Sequence, residues 1–88
     1  MLFISLVKWR KKPTKEMVAQ ANKLYEQMVK EGINIVGQYW TMGRYDGVTI
    51  LEAKDEKAGM RALLRWEDSL SLDTLIAIPR EEATKLVE

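Results

Sequence analysis

From Leu2 to Trp9 (LFISLVKW) both alternating sets of positions are apolar: Ile4 and Leu6 in one, Phe3, Val7 and Trp9 in the other. A short run of β-branched and aromatic residues predicts a strand, and one apolar on both sides belongs in the middle of a sheet. After the basic connector Arg10–Lys12 the period changes. From Thr14 to about Glu31, Met17, Val18, Ala21, Leu24, Tyr25, Met28 and Val29 recur at three- and four-residue spacing. That predicts an amphipathic helix, with Lys15, Glu16, Lys23, Glu26 and Lys30 on its polar side. Pro13 suits the start of this helix, and Gly32 a left-handed cap at its end.

Next come two apolar runs joined at a glycine, INIVGQYWTMGRYDGVTILEA from Ile33 to Ala53. The pattern predicts a β-hairpin with Gly43-Arg44 as a two-residue type II′ turn, where glycine supplies the positive φ of the first central position. In that register Met42 faces Tyr45, Thr41 faces Asp46, Trp40 faces Gly47, Tyr39 faces Val48 and Gln38 faces Thr49. Trp40 is then expected to lie across the bare backbone of Gly47, and Thr41 to hydrogen-bond the Asp46 carboxylate. Both hairpin faces come out apolar. One carries Ile35, Tyr39, Val48 and Ile50; the other carries Val36, Trp40, Met42, Tyr45 and Leu51.

Beyond the hairpin, Asp55 can cap a second helix running to about Leu70, with Glu56 near its positive end. Its buried face would hold Ala58, Ala62, Leu63, Trp66 and Leu70, and Gly59 is an unfavourable helix residue inside it. Leu72–Ile78 reads as a fourth strand stopped by Pro79. Arg80–Val87 reads as a last short helix docked by Ala83, Leu86 and Val87. Strand, helix, strand, strand, helix, strand over residues 1–88 predicts one α+β domain. Its class is the ferredoxin-like βαββαβ arrangement with a four-stranded antiparallel sheet, the first and third strands central and both helices on one face. Helices cover one face of such a sheet only. The economical cover for the other is a second copy, so a homodimer or a multiple of one is expected.

Composition narrows the chemistry. There is no cysteine and no histidine, which removes disulfides, thiolate nucleophiles, the commonest metal and haem ligands and the usual neutral-pH general base. No metal and no cofactor is expected. A net charge of +1 gives no broad field for nucleic acid or an acidic membrane. No apolar run approaches the roughly 20 residues that span a bilayer. In MLFISLVKWRKK the charges follow the apolar run, the reverse of a secretory signal, so a cytoplasmic location is expected.

Gly43-Arg44-Tyr45-Asp46, within YWTMGRYDGVTILEA, resembles the signature of the GYD family, small domains named for glycine–tyrosine–aspartate. The close match covers roughly Gly37 to Asp55; Gly47 departs from the larger apolar residue expected after the aspartate. The resemblance implies a dimeric α+β barrel, two ferredoxin-like sheets packed face to face, and no established activity. At the level of fold it points to cofactor-free monooxygenases, muconolactone isomerases, haem-dependent chlorite dismutases and ligand-sensing domains of bacterial regulators. That is analogy of architecture only. The absence of histidine argues against the haem branch.

Two roles stand open for the signature. Tyr45 can donate to a ligand with Asp46 as base or anchor; or Asp46 is a turn carboxylate, held by Thr41 or Arg44, and Tyr45 an interface aromatic. Asp46 and Glu52 lie roughly 20 Å apart along a strand, beyond the about 5 to 10 Å of a glycosidase carboxylate pair. Trp9, Trp40, Trp66, Tyr25 and Tyr39 can line an aromatic pocket between helices and sheet or simply form core. Met17, Met28, Met42 and Met60 read as gap fillers. Lys8, Arg10, Lys11, Lys12 and Lys15 form the one basic cluster, better read as a solvated loop than as a nucleic-acid site.

Two functions follow from the sequence. The first is a homo-oligomeric, non-catalytic domain that binds a small apolar or aromatic metabolite near the dimer interface. The second is a cofactor-independent oxygenase or isomerase acting on a cyclic organic substrate. The candidate ligand-binding residues are Tyr45, Asp46, Arg44, Trp40, Tyr39 and Trp66.

Overall fold

A computed structural model describes residues 1–87. Strand β1 (Leu2–Trp9) is followed by helix α1 (Lys15–Lys30), the hairpin β2 (Asn34–Trp40) and β3 (Gly47–Glu52), helix α2 (Glu56–Leu64) and strand β4 (Leu70–Ala77). A short helix α3 (Arg80–Ala83) and a 3₁₀ turn over Thr84–Val87 end the described chain. The four strands form one antiparallel sheet in the order β2-β3-β1-β4. The predicted ferredoxin-like arrangement is present, with the first and third strands central.

Cross-strand partners show which side chains share a face. Phe3, Ser5 and Val7 of β1 stand opposite Leu51, Thr49 and Gly47 of β3. On the other side they stand opposite Ile76, Thr74 and Leu72 of β4. This is the helix-covered face. Phe3, Leu51, Met28, Ile33, Ala62, Leu63 and Trp66 form one buried cluster there, so α1 and α2 both pack on the same side of the sheet. A Cβ on Gly59 would fall 2.4 Å from two Phe3 ring atoms. The residue that looked unfavourable in α2 is what lets the helix sit directly on that ring.

Helix α2 starts where the sequence indicates, at the Asp55 cap, whereas α1 starts at Lys15, two residues past the Pro13 expected to open it, and takes Thr14 as its cap. The Thr14 hydroxyl accepts from Met17 N (3.2 Å) and the Asp55 carboxylate from Ala58 N (2.8 Å), each satisfying a free helical N–H. At the end of α1, Gly32 takes φ +92°. Its N–H donates to Val29 O and that of Ile33 to Met28 O, a Schellman ending fastened by the buried Met28 and Ile33.

Four expectations need correction. First, α2 ends at Leu64, not Leu70: Trp66, Glu67 and Ser69 donate to Leu63, Leu64 and Trp66 in successive tight turns that bury the Trp66 ring. Leu70 and Ser71 are thereby freed to pair with Trp9 and Lys8, so β4 begins two residues earlier than Leu72. Second, β2 carries a bulge: Ile35 pairs with Leu51 and Gly37 with Ile50, leaving Val36 without a partner. The bulge moves Ile35 to the helix face while Tyr39 stays on the other. Third, Leu86 and Val87 do not dock; they are 77% and 87% exposed. Fourth, of the methionines only Met28 is buried, and Met42, at the hairpin tip, is 99% exposed.

The other sheet face carries Leu2, Ile4, Leu6, Val48, Ile50, Tyr39, Leu75 and Ala77, with Glu52 opposite Leu2, Asp73 opposite Leu6 and Lys8 opposite Ser71 toward its ends. No element of the described chain lies over it. The molecule measures 49 × 32 × 17 Å, and its short dimension has room for one sheet and one helix layer.

Candidate functional site

Helix α1 does not press evenly on the sheet along its length. At its C-terminal end α1 is pinned by Met28 and Ile33, both almost fully buried. Toward its N-terminus Met17, Ala21, Leu24 and Tyr25 are only half-buried, because they border a cavity of about 220 Å³ between α1 and the sheet. Trp9, Gln38, Trp40, Gly47 and Thr49 contribute from the strands, and Trp66, Ser69 and Leu70 from the turn leading into β4. Of the five aromatics singled out from the sequence, Trp9, Trp40, Trp66 and Tyr25 border it from the helix side, whereas Tyr39, which also borders it, carries its ring on the other sheet face against Gly37. Tyr25 and Trp66 stack at 4.7 Å between ring centroids, and Trp9 meets Trp40 edge-on at 5.1 Å. Trp66 is core, whereas Trp40 is 69% exposed at the mouth.

Register brings a second feature that no local pattern announces. Gln38 pairs with Thr49, Thr49 with Ser5, and Ser5 with Thr74, so one polar row crosses all four strands on the helix face. The Ser5 and Thr74 hydroxyls share a hydrogen bond of 2.8 Å, which satisfies the fully buried serine. Gln38 and Thr49 instead face the cavity. Burial pushes the Tyr25 phenol above the ordinary tyrosine range, partly offset by the neighbouring Thr49 hydroxyl. Tyr25 is therefore a neutral hydrogen-bonding group at physiological pH. The sequence signal was present, since all four are polar residues inside apolar strands, but only the pairing aligns them.

The Tyr45–Asp46 signature does other work. The predicted pairing of Gln38 with Thr49, Tyr39 with Val48 and Trp40 with Gly47 is observed. The tip differs: the innermost backbone bond, Thr41 N to Asp46 O (2.9 Å), closes an open loop instead of a two-residue turn, with Gly43 at φ +107°. Thr41 Oγ1 donates to the Tyr45 carbonyl (2.7 Å), not to the Asp46 carboxylate. Asp46 Oδ2 instead accepts from Trp9 N (2.8 Å), and Asp46 N donates to Val7 O (2.7 Å). The carboxylate thus extends the β1–β3 ladder past the end of β3.

Tyr45 turns the opposite way and donates from its hydroxyl to Asp73 Oδ2 of β4 (2.9 Å). That bond is the main reason its phenol is raised above the ordinary range. Lys8 Nζ donates to the Arg44 carbonyl (3.2 Å), and the Arg44 guanidinium lies 5.7 Å from the Tyr45 ring centre. Trp40 does not cover Gly47, where an added Cβ would meet the Tyr39 carbonyl oxygen at 2.9 Å. The covered glycine is Gly37, where an added Cβ would meet the Tyr39 ring at 2.9 Å. Of the six candidate residues, Trp40, Tyr39 and Trp66 border the cavity, while Tyr45, Asp46 and Arg44 gather at the hairpin tip. In the basic cluster Arg10 is engaged, donating from Nε to the carbonyls of Glu67 (2.9 Å) and Leu70 (3.3 Å). Among the described residues no acidic group of three or more could hold a metal ion, and no helix is long and apolar enough to cross a membrane.

Topology and cavity define a small α+β domain of ferredoxin-like fold with an aromatic-walled hollow between its first helix and its sheet. The family model of the GYD domain matches residues 3–87, and the chain belongs to that family. No curated protein matches it.

Proposed function

We propose that this GYD domain works as a homo-oligomer that binds a small apolar metabolite and carries out no chemistry on it. The apolar sheet face carries this reading. Leu2, Ile4 and Leu6 run along β1 beside Val48 and Ile50 of β3 and Leu75 and Ala77 of β4, with Tyr39 60% exposed at the edge. A large apolar patch rimmed by polar residues, here Glu52, Asp73, Lys8 and Ser71, is a site of association on a monomer. A second copy supplies the same surface, and apolar sheet faces packed on each other form a core about 10 Å thick. The cavity lies on the opposite side of the same strands, one sheet layer from this interface, and the β2–β3 hairpin contributes to both.

The non-catalytic part rests on how the polar groups of the signature are used. The Asp46 carboxylate holds Trp9 N and the Tyr45 hydroxyl holds Asp73, so neither is directed at the cavity. An oxygenase or isomerase would need an acid or base near its substrate. Native mass spectrometry of the purified protein tests the reading directly. A dimer or multiple of a dimer is expected, with a retained small mass where ligand is carried through purification. Replacing Ile50 with Asp should give a folded monomer. A wild-type monomer at micromolar concentration would overturn the assembly.

A further inference from the structure

The character of the cavity narrows its ligand; the following step rests on the proposed binding role. Of the chain's residues 31% are Asp, Glu, Lys or Arg, yet none of them lines the cavity. An ion placed there would lose its hydration with no counter-charge to replace it. Size sets a second limit. An apolar cavity of about 150 Å³ accommodates benzene, so 220 Å³ holds one ring or two fused rings. The third limit is directional. Aromatic rings make up much of the wall; Gln20 and Asn22 of α1 and Ser69 also border it, while on the sheet Gln38 and Thr49 stand side by side, with the Tyr25 phenol kept neutral close to Thr49. Unlike Ser5, which is buried and satisfied by Thr74, Gln38 is exposed where it borders the cavity, so its amide stays free to meet a ligand in place of water.

We infer that the cavity binds an uncharged, planar one- or two-ring aromatic compound bearing a hydrogen-bonding group on one edge, of the phenol, lactam or indole type. Its rings lie among Trp9, Trp40 and Trp66, and its polar edge meets Gln38 and Thr49. Apolar burial supplies most of the affinity, and the polar row fixes which edge points inward.

A matched set of naphthalenes tests charge and polar edge separately on the full chain at pH 7. Naphthalene, 2-naphthol, 2-naphthoate and 2-naphthylmethylammonium are titrated by calorimetry, and the tryptophan indole N–H signals are followed by NMR. The neutral 2-naphthol should bind and shift all three indole signals, with both ions at least about tenfold weaker. Thr49→Val should weaken 2-naphthol about fivefold, the equivalent of one neutral hydrogen bond, and leave naphthalene unchanged. Ala21→Phe should fill the cavity and remove binding of all four probes; if that variant does not fold, Thr49→Val still decides the polar edge.

Equal binding of either ion overturns the assignment of an uncharged ligand. Identical affinities of naphthalene and 2-naphthol overturn the polar edge. Failure of every probe overturns the inference as a whole. In that case a retained small mass in the native spectrum keeps the metabolite-binding role standing without it, and a spectrum with none removes both.

Discussion

Ile50 and Leu51 are neighbours in β3, both branched and apolar, and they meet opposite fates. Leu51 is fully buried beneath the helices, opposite Phe3 and Ile35. Ile50 points to the other face, opposite Ile4 and Gly37, and stays half-buried. The same contrast separates Phe3 from Ile4 one strand away. Alternation along a strand puts each neighbour on a different side, but what covers that side is decided by other elements. One face is completed by the chain's own helices. The other is left uncovered by the described chain, and under the proposed assembly a second copy covers it.

The sharpest way to break this comparison is to truncate the neighbours in turn. Leu51→Ala should cost about 2–5 kcal/mol of folding stability, since it opens a hole in a close-packed layer. Ile50→Ala should cost the isolated chain about 1 kcal/mol or less and act chiefly on subunit dissociation. Urea unfolding with size-exclusion chromatography separates the two effects, and equal unfolding costs would erase the distinction between the faces.

Asp46→Ala comes next. It strips the Trp9 N–H of its carboxylate partner and should cost about 1–3 kcal/mol, seen as earlier urea unfolding and faster amide exchange at Trp9. Retained protection at Trp9 would show that the carboxylate is not the anchor of that strand end.

The smallest effect belongs to the helix layer. Glu31 and Arg65 stand at the C-terminal ends of α1 and α2 and meet through two contacts of 2.6 Å, Nη1 to Oε1 and Nη2 to Oε2. The guanidinium holds the Glu31 carboxyl below its ordinary value of 4.5. A lowered folded-state pKa contributes stability above that value and loses it as pH falls through the folded one. Wild type should therefore lose slightly more stability than Glu31→Gln on acidification below about pH 4.5. The pair is exposed, so the difference is small and shrinks further in high salt. Parallel acid titrations of the two proteins, followed by circular dichroism, measure it.

Much of the fold was readable before any coordinates. Asp55 and Gly32 marked their helix ends correctly, because capping is local chemistry of one side chain or one φ angle. The hairpin register from Gln38 to Gly47 was readable for a similar reason. The bulge at Val36 was not. It answers to the fit of Ile35 beside Leu51, and with both faces apolar the pattern held no contrast to reveal it. Trp66 misled in the same way: helical spacing placed it on α2, while burial draws it into a tight turn.

The candidate site divided along the same line. The five aromatics were visible as an apolar set, and the sequence left open whether they were core or pocket wall. That depends on how far α1 stands from the sheet, a distance with no local code. The signature at Tyr45 and Asp46 was conspicuous in one dimension, yet its partners are Asp73 and Trp9, 28 and 37 residues away. By itself the sequence determined the elements, their order and the helix ends set by Asp55 and Gly32, because periodicity and capping act within a few residues. Only the tertiary structure decided the polar row, the hollow beneath α1 and the use of the signature, because each arises where distant segments are brought side by side.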